Sequence, residues 1–150
     1  RQYFKSFAGL GELTEEERQT PLNRSVCQYA VANGTPLILE DARTDPVFKN
    51  HPAVLDGTLV AYLGIPLIDG HGNGIGTLCV YDEKPRLWTT GHVQILSDLA
   101  ELAAERIFGS RPRQFAGSAP LSYFGPNPIW VCAANPFPSG IRPQHRTNSP

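Results

Sequence analysis

Segments with strand periodicity alternate with segments of helix periodicity along these 150 residues, so the sequence predicts a mixed fold of strands and helices. The strongest strand pattern runs from Leu59 to Ile68, where apolar side chains recur at every second position. Turn-forming residues at 69–74 then predict a hairpin with a second strand over 75–81. An apolar stripe at helical spacing begins after Trp88 and ends at Gly109, which predicts a helix that covers the sheet.

Shorter elements are predicted ahead of this hairpin. Aromatic residues within 3–7 favour a strand. The pair Thr20-Pro21 is typical of a helix N-terminus, and Gly34 is suited to the C-terminal cap of the same helix. Residues 37–39 favour a short buried strand, and the turn-forming residues of 41–57 predict an irregular lid with one or two short helical turns.

The composition excludes several classes of protein. No apolar run is long enough to span a bilayer and no signal segment opens the chain, so we expect a soluble cytoplasmic protein with no membrane partner. Residues 1–108 hold 9 basic and 14 acidic side chains, which argues against a nucleic-acid surface. The three cysteines, Cys27, Cys79 and Cys132, are widely spaced, which argues against a disulfide framework and a zinc site.

The last segment, 109–150, differs in composition from the rest. It contains eight of the chain's 14 prolines, four arginines and no acidic residue. Since it has no apolar periodicity, burial would not offset the entropy lost on ordering it. We therefore expect a domain over 1–108 and a disordered proline-rich tail over 109–150.

Four motifs occur in a fixed order: TPLNRSVCQYAV at 20–31, EDARTDP at 40–46, AYLGIPL at 61–67 and GTLCVYD at 76–82. Together they resemble the GAF domains of bacterial sensor histidine kinases and related signalling proteins, over residues 4–107. The resemblance implies the α+β fold class, with a central antiparallel sheet that carries helices on one side. On the other side it implies a ligand pocket under the lid.

The resemblance also implies a first helix and a first strand ahead of the strand at 3–7, and we expect both to be missing from this chain. In the family that first strand lies inside the sheet. We therefore expect a free sheet edge or a gap in the core.

The resemblance implies a non-catalytic sensory module of a bacterial signal-transduction protein of the two-component, histidine kinase type, with no cofactor and no metal. The expected partners are an unidentified small molecule and an output signalling domain in a longer protein. Ligand or partner binding would shift a two-state equilibrium that the helix over 89–108 passes on. We expect at most a weak homodimer through this helix.

Seven residues are candidates for the ligand site because they lie on the lid, on the helix near Thr20 or on the sheet face opposite Leu63. Tyr62 suits a pocket wall, since its ring is apolar and its tip is polar. The charges that follow residue 39 fit a solvated turn as well as a ligand contact. The candidates are Cys27, Ala30, Asp41, Arg43, His51, Val60 and Tyr62.

Two other functions stay open. Cys27, near a helix N-terminus, has the environment of a thiol-based redox sensor or of a methionine sulfoxide reductase-like enzyme. The free methionine sulfoxide reductases of the family need further cysteines upstream and in the lid, but the lid at 51–54 has no thiol. We therefore expect Cys27 to lack a resolving partner and favour a buried structural cysteine. The third alternative is a purely structural dimerisation module.

Other chemistries known in the family find less support. Bilin-binding members carry a lid cysteine with neighbouring histidines, a pairing that is absent here. Cyclic-nucleotide-binding members share an Asn-Lys, Phe and Asp-Glu pattern, of which Asp82-Glu83 is present while Leu78 replaces the Phe. A metal site formed by His51, His71 and His92 is not expected, because they lie on a lid, a turn and a helix start.

Overall fold

The computed structural model describes residues 1–7, 14, 16–69, 71–108 and 129–134, and at 108 and 129–134 it describes the backbone alone. The described part forms one antiparallel sheet and helices that pack on both of its faces. The elements in chain order are β1 (Gln2–Phe7), β2 (Gln19–Thr20), a 3-10 turn (Leu22–Arg24), α1 (Cys27–Asn33), β3 (Leu37–Leu39), α2 (Pro52–Leu55), β4 (Ala61–Ile68), β5 (Gly74–Asp82), α3 (Thr90–Phe108) and β6 (Ile129–Ala134).

The sheet has the strand order β2-β1-β6-β5-β4-β3, and each neighbouring pair is antiparallel. Its longest strand pairing is the predicted hairpin of β4 and β5, paired from Ala61↔Asp82 to Ile68↔Gly74. The Asp69 carboxylate holds the connecting turn by accepting hydrogen bonds from the backbone N–H groups of His71 and Asn73, each at 2.8 Å. The predicted α+β fold class and the predicted hairpin are confirmed.

The helix expected to start at Pro21, with Thr20 as its N-cap, begins six residues later, at Cys27. Thr20 is the last residue of β2, where it pairs with Gln2 of β1. A 3-10 turn follows, and Ser25 then adopts an extended backbone (φ −91°, ψ 113°) that separates this turn from α1. The predicted end of the helix is confirmed, because Gly34 caps it in the left-handed conformation (φ 65°).

The long C-terminal helix, α3, lies where the apolar stripe predicts it. At its N-terminus the backbone N–H of His92 donates a hydrogen bond to Thr89 Oγ1 at 3.4 Å. Leu96 and Ala100 are buried against the sheet, at 0% and 3% exposure. The lid region also agrees with the prediction of short helical turns, since α2 is a single turn within it.

Strand β6 contradicts the expectation of a disordered tail over 109–150. Its six residues pair with β5 on one side, from Gly76↔Ala133 to Val80↔Ile129, and with β1 on the other, from Gln2↔Ala134 to Phe7↔Trp130. The expected gap in the sheet is therefore filled by a strand from the C-terminal segment. The strand has only six residues, and side-chain alternation over so short a segment is hard to recognise among the surrounding prolines. The rest of 109–150 lies outside the described residues.

The sheet separates two clusters of buried side chains. On the face toward α1, α2 and the lid, Tyr62 and Cys79 pack with Val26, Phe48 and Leu59. On the opposite face, alternate residues of β4 and β5 pack against α3. These residues are Leu63, Ile65, Leu67, Leu78 and Val80. Because β4 is buried on both faces, a one-residue shift in its pairing register would turn the side chains of each cluster to the opposite face of the sheet.

No helix in the part of the chain that the structure describes is both long enough and apolar enough to cross a membrane.

Candidate ligand cavity

A cavity of about 180 Å³ lies between the sheet, α1, α2 and the turn before α1. Both halves of the sheet contribute to its wall, and so do the lid and the 3-10 turn. The lining is mainly apolar and aromatic, with a few hydroxyl, thiol, amide and guanidinium groups. The lining residues are Gln2, Phe4, Thr20, Arg24, Val26, Cys27, Ala53, Thr58, Leu59, Tyr62, Cys79 and Tyr81.

Gly64 has no side chain, and this leaves the space that the Tyr62 ring occupies. The two residues lie on the same face of β4, and a Cβ atom at Gly64 would lie 2.6 Å from Tyr62 Cε1 and 2.7 Å from Cζ. The ring therefore lies flat over Gly64 and is 1% exposed. In this position its hydroxyl donates a hydrogen bond to Cys27 Sγ at 3.3 Å, which connects the sheet to the first residue of α1.

The wall of the cavity brings two cysteines together. Cys27 Sγ and Cys79 Sγ are 3.8 Å apart, although 52 residues separate them in the sequence. Cys79 lies on β5 directly opposite Gly64, so the Tyr62 ring, Cys27 and Cys79 form one cluster. A second thiol therefore lies next to Cys27, on the sheet beneath the helix and not in the lid, where the sequence argument expected a resolving cysteine to be.

A polar clasp closes the outer side of the cavity. The Arg24 guanidinium, on the 3-10 turn, forms an ion pair with the Asp56 carboxylate at the end of α2. Asp56 also accepts hydrogen bonds from the hydroxyl of Thr58 at 2.6 Å and from its backbone N–H at 3.0 Å. The Thr58 hydroxyl, and then the Arg24 guanidinium, lower the pKa of Asp56 to about 2. The clasp therefore keeps its charge at every pH near neutrality.

A buried polar contact joins the lining residue Gln2 to Ser25, just before α1. The Ser25 hydroxyl donates a hydrogen bond to Gln2 Oε1, and the two residues are 3% and 4% exposed. Burial of an amide and a hydroxyl is costly unless they pair. This contact holds the residue after the 3-10 turn against β1, and both elements contribute to the cavity lining.

Comparison with known proteins identifies the family. Residues 4–107 match the GAF domain family. The chain belongs to that family. A cyclic di-GMP phosphodiesterase of Pseudomonas aeruginosa is 33% identical over 117 residues, which are 77% of this chain and 19% of that protein. The chain thus spans about a fifth of the length of this relative.

Among solved structures, the type II free methionine-R-sulfoxide reductase from Thermoplasma acidophilum superposes with a TM-score of 0.48 and 19% identity. The superposition covers 66% of this chain and 68% of the reductase.

Two of the seven candidate residues of this GAF domain, Cys27 and Tyr62, line the cavity. Ala30 and Val60 are buried, at 0% and 4% exposure, but lie outside the lining. Val60 instead positions the lid with its backbone, since its carbonyl accepts a hydrogen bond from the Ala42 N–H at 2.7 Å.

The charged candidates of the GAF domain pair with one another outside the cavity. The Arg43 guanidinium donates to both carboxylate oxygens of Asp41, at 2.8 and 2.7 Å. The Arg43 side chain lowers the pKa of Asp41, and Asp41 raises the pKa of Arg43. This geometry is that of a solvated turn, one of the two interpretations that the sequence allows.

His51 caps the lid helix and does not reach the cavity lining. Its Nδ1 accepts a hydrogen bond from the Ala53 N–H at 3.3 Å, so the neutral ring carries its proton on Nε2. That nitrogen is buried with no hydrogen-bond partner among the described residues. Burial, and then the charge of Arg24, lower the pKa of His51 below its ordinary value. Within the described residues, no group of three or more His, Cys, Asp or Glu side chains is placed to hold a metal ion.

The sequence did not reveal the contribution of the first strands. Gln2, Phe4 and Thr20 reach the cavity because β1 and β2 extend the sheet beyond β5 by way of β6. Cys79 and Tyr81 lie on the same face of their strand as Tyr62 does on β4, and the hairpin register pairs Tyr62 with Tyr81. That register follows from the predicted turn, so the turn was the sequence signal that could have added Cys79 and Tyr81 to the candidate site residues.

The Gly64→Ala variant should lose stability because its Cβ collides with the Tyr62 ring. In a fully buried cluster the ring has no room to move, so we expect a loss of about 1–3 kcal/mol in the free energy of unfolding, measured in urea. The same substitution in a Tyr62→Ala background should be nearly neutral, since the colliding ring is gone. Equal losses in both backgrounds would show that the ring does not lie over Gly64.

The stability of the GAF domain should fall as the pH drops below about 6.5, the ordinary pKa of histidine. The unfolded chain takes up a proton at His51 there, whereas the folded chain stays neutral until its lower pKa is reached. Above this window the contribution is fully present. Urea midpoints measured between pH 5 and 7 test this.

His51→Asn is the matched control, since asparagine can cap α2 but does not titrate in this range. Its urea midpoint should change less between pH 5 and 7 than that of the natural chain. The carboxylates with lowered pKa, such as Asp56, respond only at more acidic pH. Parallel pH profiles for the two proteins would contradict the assignment to His51.

Proposed function

We propose that this GAF domain is a non-catalytic sensory module of a bacterial signal-transduction protein. It binds a small molecule about the size of one aromatic ring in the cavity beneath α1 and α2. The observation that carries the proposal is the cavity itself, whose wall combines apolar side chains with a few polar groups aimed from different elements.

The size of the cavity supports a ligand of this class. Its volume of about 180 Å³ exceeds the roughly 150 Å³ that suffice to bind benzene in an engineered protein cavity. It falls below the roughly 300 Å³ at which pockets for drug-sized ligands begin. A cyclic dinucleotide would therefore not fit without a large rearrangement, and a single ring with one or two polar substituents would.

The path from the cavity to the rest of a signalling protein runs through α3. β4 presents Tyr62 to the cavity and Leu63 to the cluster under α3, so a displacement of this strand acts on both faces. The Trp88 indole N–H, just before α3, also donates to the Leu39 carbonyl at 2.9 Å, where the lid segment begins. The helix leaves Ile107 49% exposed at its far end, a site for an output domain or for a weak homodimer.

The output domain belongs to the longer protein in which such a module acts. The phosphodiesterase relative carries the matching segment within a chain about five times the length of that segment. We propose the same arrangement here, with a cytoplasmic module that regulates a signalling enzyme and does not perform its chemistry. Neither a cofactor nor a metal takes part in this function.

Single-ring probes test the proposal. Phenol and indole should bind at millimolar or lower concentration, as measured by ligand-observed NMR and by the rise in melting temperature. In the Ala53→Leu variant the larger side chain fills part of the cavity, so the affinity for the same probes should fall about tenfold or more.

The matched control is Ala32→Leu, which adds the same atoms to an exposed position of α1. It should bind the probes as the natural chain does. If both variants bind them equally well, or if neither probe binds the natural chain, the ligand site is not this cavity.

A further inference from the structure

The two buried cysteines of the cavity wall are close enough to react with each other. Their sulfur atoms are 3.8 Å apart, and a disulfide bond requires a separation about 1.8 Å shorter. Cys27 and Cys79 are 6% and 2% exposed, and both border the cavity. A space of about 180 Å³ holds several molecules of the size of water, so it also has room for hydrogen peroxide.

We propose that Cys27 and Cys79 form a reversible disulfide across the cavity wall when a peroxide enters the cavity. The inference goes beyond the proposed function and does not depend on which ligand the cavity holds. It needs only the positions of the two thiols and a path for a small oxidant.

Cys27 reacts first. The Tyr62 hydroxyl donates a hydrogen bond to its sulfur at 3.3 Å, and a donated hydrogen bond favours the thiolate, which is the nucleophilic form. Gly64 lets the ring reach this position, so the backbone of β4 contributes to the reactivity of a side chain on α1. Cys79 lies on the adjoining strand, directly opposite Gly64, and is the second thiol of the reaction.

The reaction balances with one equivalent of peroxide. The Cys27 thiolate attacks one peroxide oxygen, the O–O bond breaks, and the departing hydroxide takes up the thiol proton as water, which leaves a sulfenic acid on Cys27. The Cys79 sulfur then attacks the Cys27 sulfur, the S–O bond breaks and the hydroxide leaves with the Cys79 proton as a second water. Two thiols are oxidised by two electrons, and the peroxide is reduced to two water molecules. A dithiol reductant reverses the disulfide by exchange.

The disulfide would alter the cavity. It would tie the first turn of α1 to the middle of β5 and draw the Cys27 sulfur away from the Tyr62 hydroxyl. Because all three groups belong to the cavity lining, oxidation changes the shape of the space that a ligand would occupy. Redox state and ligand binding would therefore be coupled at one site.

Peroxide treatment of the full chain under native conditions tests the proposal. The Cys132→Ser variant is used alongside the natural chain, because Cys132 on β6 is a third thiol in the same sheet. In both proteins we expect the loss of two hydrogen masses and a linked peptide pair that contains Cys27 and Cys79. Dithiothreitol should restore the original mass.

Two variants divide the reaction into its steps. Cys79→Ser should stop at the sulfenic acid on Cys27, which dimedone captures. Tyr62→Phe should form the same disulfide at a rate reduced about threefold or more, since it lacks the donated hydrogen bond. If Cys79→Ser does not fold, the peptide map of the natural chain and the rate in Tyr62→Phe still decide the matter.

Three results would overturn the proposal. Both cysteines could remain reduced in the folded chain and react only after unfolding in urea. The peroxide-treated natural chain could instead link either cysteine to Cys132. Finally, Cys27 could oxidise to higher acids with no linked peptide, which would show that Cys79 does not resolve the sulfenic acid.

Discussion

Backbone hydrogen bonds from β6 to β5 on one side, and to β1 on the other, connect the two halves of the sheet. Without this strand, the ribbon of β1 and β2 would have no described pairing with β5, β4 and β3. The cavity depends on that connection, because Phe4 comes from one half of the sheet and Tyr62 from the other. An interior strand exposes no unpaired edge, so it gives the sheet a continuity that a gap would have removed.

Within this frame, one glycine sets the chemistry of the cavity. The absence of a side chain at Gly64 allows the Tyr62 ring to lie along the sheet and its hydroxyl to reach Cys27. Cys79 lies beside Cys27 in the same cluster, and Tyr62, Cys27 and Cys79 all belong to the cavity lining. A ligand-sized space and a pair of adjacent thiols thus lie in one cluster of side chains, so the sensory function and the redox function proposed above would share one site.

Features that depend on residues close together in the sequence were predicted correctly, and features that depend on distant residues were not. The β4–β5 hairpin and the cap at Gly34 depend on neighbours within a few residues, and both were predicted. The start of α1 was misplaced because Thr20 pairs with Gln2, a contact between distant positions. The proximity of Cys27 to Cys79 and the insertion of β6 depend on pairing across long stretches of sequence, which periodicity does not encode.

Amide hydrogen exchange along the full chain, followed by mass spectrometry of its peptides, is the most direct test of this account. Residues 129–134 should exchange slowly, with protection comparable to that of β5, since interior strands open only with the sheet. Peptides from β1 should share that protection. Rapid, unprotected exchange of 129–134 alongside a protected β4–β5 hairpin would contradict the account, because the two walls of the cavity would then have no common sheet.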